Sequence, residues 1–153
     1  MGNGTRKATV TAIATTALTL SAVAPASAEP TPRHCVLNTA TGVEHCSSSR
    51  IALTAQANGD VVQGTFFDGP DYTGNSLTIT GPQLCEKDGW VNWQFDLSDD
   101  WKNKISSVQP WGNCWIWLYP EPNLGGDRDG PFKENTGNVG SFMDDRTQSI
   151  GFS

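Results

Sequence analysis

The stretch FFDGPDYTGNSL, Phe66–Leu77, has a second version further along the chain, LYPEPNLGGDRDG, Leu118–Gly130. Phe67 and Tyr72 stand five apart, with Gly74 two further on. Tyr119, Leu124 and Gly126 keep the same spacing. An aromatic residue that closes a strand packs over a tight turn. The glycine after it takes a backbone shape that a Cβ would forbid, so the hairpin folds back on itself. A second pair of echoes follows. Trp101-Lys102-Asn103-Lys104-Ile105-Ser106-Ser107-Val108 is matched by Met143-Asp144-Asp145-Arg146-Thr147-Gln148-Ser149-Ile150. The first echo has a period of 52 residues and the second 42, so about ten extra residues lie in the first copy, around Cys85 to Asp100. Ser107 and Ser149 are placed to hydrogen-bond the bent backbone of their own copy.

Around these repeats the texture is that of an all-β chain. Short apolar and β-branched runs alternate with Gly, Pro, Asn and Asp. The predicted strands are 63–67, 76–80, 106–110, 114–119 and 148–152. Each copy is then a four-strand Greek key, and two copies pack as a sandwich because neither covers its apolar face alone.

Upstream the chain reads differently. Residues 1–28 have the form of a secretory signal peptide: Arg6 and Lys7, a threonine-diluted apolar run over 8–24, and Ala26-Ser27-Ala28 as the cleavage site. The apolar run is too short and too polar for a membrane anchor. Cleavage near Ala28 leaves about 125 residues, enough for one domain. It removes two basic residues and no acidic ones, leaving 8 basic against 16 acidic, a formal −8. That balance argues against binding phosphate backbones, which need clustered Lys and Arg. Residues 29–60 form an N-terminal extension: a Pro-rich lead-in, a hairpin stapled between Cys35 and Cys46, and a short helix from Ile51 that ends at Asn58-Gly59. The domain proper is 61–153, with its first motif at 61–110 and its second at 111–153.

The four cysteines, Cys35, Cys46, Cys85 and Cys114, all follow the cleavage site, and an even count in an exported chain implies two disulfides. Of the three connectivities, Cys35–Cys46 with Cys85–Cys114 is preferred, since each closes a loop within one segment. Loop-closure entropy gives each about 3 to 4 kcal/mol. A zinc site could in principle gather His34, Cys35, His45 and Cys46, but no CxxC spacing is present and a disulfide beside exposed histidines is the better reading.

The paired motifs resemble the Greek-key signature of the βγ-crystallin superfamily. The Asn103–Ser107 and Asp144–Ser149 stretches are similar to its calcium loop, (N/D)(N/D)xx(S/T)S. The mature chain is also similar to small secreted actinobacterial proteins with this domain, and neighbouring families include bacterial metalloprotease inhibitors and killer-toxin-like proteins. The resemblance implies a two-motif, non-catalytic exported module. It also implies calcium sites that draw oxygens from both loops, with Asn103, Ser106, Asp144 and Asp145 as the matching ligands. Ca²⁺ wants six to eight hard oxygens. Lys102 and Gln148 depart from the pattern, the first by bringing positive charge, the second by replacing a hydroxyl with an amide. Weak binding, or turn formation with no metal at all, is what those departures imply. Asp127-Arg128-Asp129-Gly130 imitates the opening of an EF-hand, but Pro131 and Phe132 occupy the next positions and no glutamate follows at the twelfth.

Catalysis finds little support. The β region has no histidine to activate a serine, and there is no GxSxG or phosphate loop. The acids Asp96, Asp99 and Asp100, and Asp144 with Asp145, read as solvated loop residues. All six tryptophans fall between Trp90 and Trp117. Trp101, Trp115 and Trp117 are expected in the core. Trp90 and Trp93, inside the ten-residue excess, are expected as an exposed contact patch for an extracellular protein or glycan. The protein is expected to be a monomer. A protease inhibitor using the Cys85–Trp101 loop is the runner-up, followed by a carbohydrate-binding or killer-toxin-like protein, although −8 speaks against a toxin for acidic envelopes.

Overall fold

A computed structural model describes residues 1, 2, 4, 31–49 and 60–153. The expected signal peptide and the helix from Ile51 lie outside the described residues. Among the described residues nine strands build two sheets: β1 (His34–Asn38), β2 (Val43–Ser47), β3 (Val61–Phe67), β4 (Ser76–Gly81), β5 (Trp93–Asp96), β6 (Ser107–Pro110), β7 (Ile116–Tyr119), β8 (Asp129–Phe132) and β9 (Ser149–Phe152). The first sheet runs β2-β1-β4-β3-β6 and the second β5-β9-β7-β8. Among the described residues no helix is long and apolar enough to cross a membrane.

Alternation sorts the side chains. In β7, Ile116 and Leu118 face the core and are fully buried, while Trp117 and Tyr119 take the other face. In β4, Leu77 and Ile79 do the same for the first sheet. Phe66 from the first sheet meets Phe152 from the second edge to face, with ring centroids 6.2 Å apart. Such pairs are worth about 0.5–1.5 kcal/mol beyond the area they bury. At Gly64, where the sheets approach, an added Cβ would sit 3.1 Å from both Ile116 and Phe152.

The two halves exchange strands. β5 belongs to the first repeat but pairs with β9 of the second. In return Thr136, from the second repeat, bridges to Val108 on β6. Each sheet therefore needs both repeats to be complete. The ten-residue excess of the first copy is where β5 lies.

The stapled hairpin is built into the first sheet. β1 and β2 pair with Cys35 opposite Cys46, and β1 lies parallel to β4, with Leu37 opposite Ile79. Cys35 and Leu37 join the core cluster. Both preferred disulfides are present, Cys35–Cys46 and Cys85–Cys114.

The five predicted strands of the β region are present with ends shifted by up to two residues. Two further strands, β5 and β8, are read in the sequence as loop or turn. Both are four residues long and lie at the edges of the second sheet. β8 contains Gly130-Pro131, a pair that signals a turn, and an edge position tolerates proline because its missing N–H leaves no ladder bond unmade.

Candidate functional site

The repeat motif folds into two matching corners. In the first, Asp71, Tyr72 and Gly74 have φ of 52°, 64° and 77°; in the second, Asn123, Leu124 and Gly126 have φ of 53°, 57° and 77°. A Cβ on Gly74 would collide with the Asp68 carboxylate, which accepts hydrogen bonds from the backbone and side-chain N–H groups of Asn75 at 2.7 and 2.6 Å. The Phe67 and Tyr72 rings pack edge to face at 5.7 Å. Ser107 Oγ accepts from the Tyr72 N–H at 3.1 Å and donates to the Gly69 carbonyl at 2.7 Å. Ser149 Oγ accepts from the Leu124 N–H at 3.0 Å and donates to the Glu121 carbonyl at 2.6 Å. One hydroxyl thus satisfies a donor and an acceptor that the bend takes out of the strand ladder.

The loops that lead into these serines lock onto each other. Asn103 and Asp145 hold equivalent left-handed positions, φ 57° and 55°. The Asn103 N–H donates to the Thr147 carbonyl at 2.8 Å, and the Asp145 N–H donates to the Ile105 carbonyl at 3.2 Å. Beside this junction lies a hollow of 610 Å³ whose lining includes Asn103, Glu121, Asp127, Phe142, Arg146 and Gln148. Two carboxylates and two amides offer hard oxygens there. The Arg146 guanidinium opposes them; it donates to the Phe142 carbonyl at 2.9 Å and lies 5.1 Å from the Phe142 ring.

The other expected ligands do not line this hollow. Ser106 is buried, with its N–H given to the Phe67 carbonyl and its carbonyl accepting from Val139. Asp145 is exposed. Asp144 is partly buried, and its Oδ1 and the Thr147 hydroxyl are buried without a hydrogen-bond partner. Lys102 turns its ammonium to Asp99 at 3.0 Å.

Cys35, Glu44 and Cys46 also cluster closely enough to suggest a metal site. The donor chemistry does not fit one, because both sulfurs are already joined at 2.07 Å and neither is a thiolate. Asp96, Asp99 and Asp100 are exposed acids, as their sequence suggests. Asp96 accepts the Asn123 N–H at 2.7 Å, Asp99 pairs with Lys102, and Asp100 pairs with Arg33 at 3.2 Å.

The tryptophans divide differently from expectation. Trp101 is in the core. Trp117 is buried but faces away from it, beneath the Arg128 guanidinium 3.8 Å above its ring, with Nε1 donating to Ser153 Oγ at 3.1 Å. Trp115 is half-buried under Lys133 at 3.8 Å. Cation–π contact, and not core packing, covers these two rings. Trp90 is exposed, at 77%. Trp93 is not; it packs on the core from β5, with a buried indole N–H.

No protein-family model matches the chain, and no curated protein matches it. Three solved structures illustrate what it is similar to. A betagamma-crystallin domain from Clostridium beijerinckii is 18% identical with a TM-score of 0.47, covering 59% of this chain and 95% of that one. A betagamma-crystallin domain from Flavobacterium johnsoniae is 19% identical with a TM-score of 0.45, covering 59% and 92%. The N-terminal domain of Protein S is 19% identical with a TM-score of 0.46, covering 60% and 94%. The structural likeness is to betagamma-crystallin domains.

Glu121 is not singled out in the sequence, and Asp127 is weighed there only as a failed EF-hand opening, because both belong to the corner motif and not to the loop that resembles a calcium site. The available signal was the repeat itself: Glu121 lies two residues after Tyr119, at the carbonyl that Ser149 clamps.

Proposed function

We propose that the protein is an exported, non-catalytic binding module built from two Greek keys of βγ-crystallin type, and that it binds calcium weakly. The observation that carries this reading is the hollow at the locked loops, where Asn103, Glu121, Asp127 and Gln148 bring oxygens from both halves. These four residues would hold the ion. A bound Ca²⁺ would act as a cross-link between the halves, since its ligands lie on segments far apart in sequence. Arg146 lines the same hollow and keeps the affinity low by placing like charge beside the cation. Export is supported by the sequence at 1–28 and by two disulfides, which persist in oxidising surroundings. A non-catalytic role is supported by the exposure of Asp96, Asp99 and Asp100, whose contacts are a backbone N–H and two surface cations.

Calorimetric titration of the mature chain with Ca²⁺, paired with thermal melts, tests the metal. A ligand that binds only the folded form at 100 times its Kd adds about 2.7 kcal/mol of stability. Binding heat and a raised melting temperature are expected, with Glu121→Gln abolishing both and Arg146→Gln strengthening them. Absence of heat and of any shift in the native chain would remove calcium from the proposal.

A further inference from the structure

The loop 86–92 carries an indole that the fold does not bury. Its two ends are tied. Cys85 is bonded to Cys114, gives its N–H to the Gly112 carbonyl at 3.1 Å, and has its own carbonyl taken by Asn113 Nδ2 at 3.0 Å. At the other end the Asn92 N–H donates to the Phe152 carbonyl at 2.8 Å. Between them Gly89, at φ 83°, reverses the chain, and the Trp90 N–H donates to Asp88 Oδ1 at 2.9 Å. The loop therefore holds Trp90 outward on a braced turn. Leaving so large an apolar ring in water forgoes about 25 cal/mol for each Å² that burial would hide.

Trp90 shares a hollow of 480 Å³ with Asp88, Gly89, Val91 and Arg128. Arg128 is also pre-set. Its guanidinium lies over Trp117, and Nη1 reaches the Tyr119 hydroxyl at 3.4 Å. It forms no ion pair among the described residues. The hollow thus combines a flat apolar ring, an acceptor-only carboxylate and a donor-only guanidinium.

We propose that this hollow binds a neutral pyranose sugar, stacked on Trp90 with its hydroxyls between Asp88 and Arg128. The charge balance selects the ligand class. Asp88 repels an anion and Arg128 repels a cation, whereas sugar hydroxyls both donate to a carboxylate and accept from a guanidinium. The apolar face of a pyranose ring matches the indole, and the polar edge matches the rim. The site lies on the loop and outer face of the second sheet, and it does not depend on the calcium proposed above.

The test is a titration of the mature chain with cellohexaose, chitohexaose and xylohexaose, in the presence of EDTA, followed by calorimetry and tryptophan emission. Hexagalacturonic acid serves as the acidic comparison. Saturable heat and an emission change with at least one neutral oligosaccharide are expected. Trp90→Ala should weaken that binding by about tenfold or more, and Trp90→Phe should restore part of it. Asp88→Asn should weaken it too. Because Trp90 is exposed, its replacement should leave the melting temperature unchanged, so loss of binding with an unchanged melt supports the site. Failure of all three neutral sugars to bind, undiminished binding by Trp90→Ala, or binding of the acidic oligosaccharide alone would overturn it.

Discussion

Ser107 and Ser149 each carry one hydroxyl, and each hydroxyl makes two hydrogen bonds to a bend made some 25 to 38 residues earlier in the chain. Both serines are fully buried. Removing the oxygen takes away both hydrogen bonds at once, from a part-buried N–H and a part-buried carbonyl, and each bond is worth about 0.5–1.5 kcal/mol net. Ser149→Ala should therefore lower stability by about 1–3 kcal/mol, and Ser107→Ala by a similar amount, measured by urea unfolding. A neutral effect at either position would show that the hydroxyl does not hold its corner. These roles were legible because the repeat puts the same residue at the same place twice. The direction in which a side chain points was not legible in the same way. Composition alone places Trp115 and Trp117 inside, because large rings are usually buried. Ile116 and Leu118 take the core face instead, and the strand's alternation then sends both tryptophans outward, where Lys133 and Arg128 cover them.

At the level of elements, the hairpin Cys35–Cys46 and the loop Cys85–Cys114 are held by cross-links of different reach, 11 and 29 residues apart. The entropy removed from the unfolded chain grows with the logarithm of that separation. Replacing Cys85 and Cys114 by serine should therefore cost about 1 kcal/mol more than replacing Cys35 and Cys46. Denaturant midpoints of the two double variants compare them. An equal or reversed order would mean that native-state packing, and not chain entropy, sets the cost. Of the strands legible in the sequence, β1, β3, β4, β7 and β9 are interior, while β2 and β6 form the two rims of the first sheet, β2 marked by its disulfide and β6 by the serine of the repeat. The two it missed are the outer strands of the second sheet. An edge strand makes hydrogen bonds on one side alone, so short length, Pro131 and the alternating Trp93-Gln94-Phe95-Asp96 are all tolerated there without the long apolar run that advertises an interior strand.

For the whole molecule, the decisive contact is between sheets. Phe66 and Phe152 are both fully buried and come from opposite repeats. Phe66→Ala should destabilise the protein by about 3–5 kcal/mol, read from chemical unfolding, with loss of a single cooperative transition if the halves then separate. A change under about 1 kcal/mol would mean that the sheets are held elsewhere. The sequence by itself determined the all-β class, the two bent corners at Gly74 and Gly126 and the serines that clamp them, and it favoured the cysteine pairing that the structure shows. All of these rest on local rules: periodicity, backbone shape without a Cβ, and short loop closure. Only the tertiary structure decided that β5 and Thr136 cross to the other repeat's sheet, that β1 lies parallel to β4, and that Asn103 meets Glu121, Asp127 and Gln148 in one hollow. Those are meetings of residues distant along the chain, and they follow from how two apolar faces cover each other, a condition that no local stretch of residues encodes.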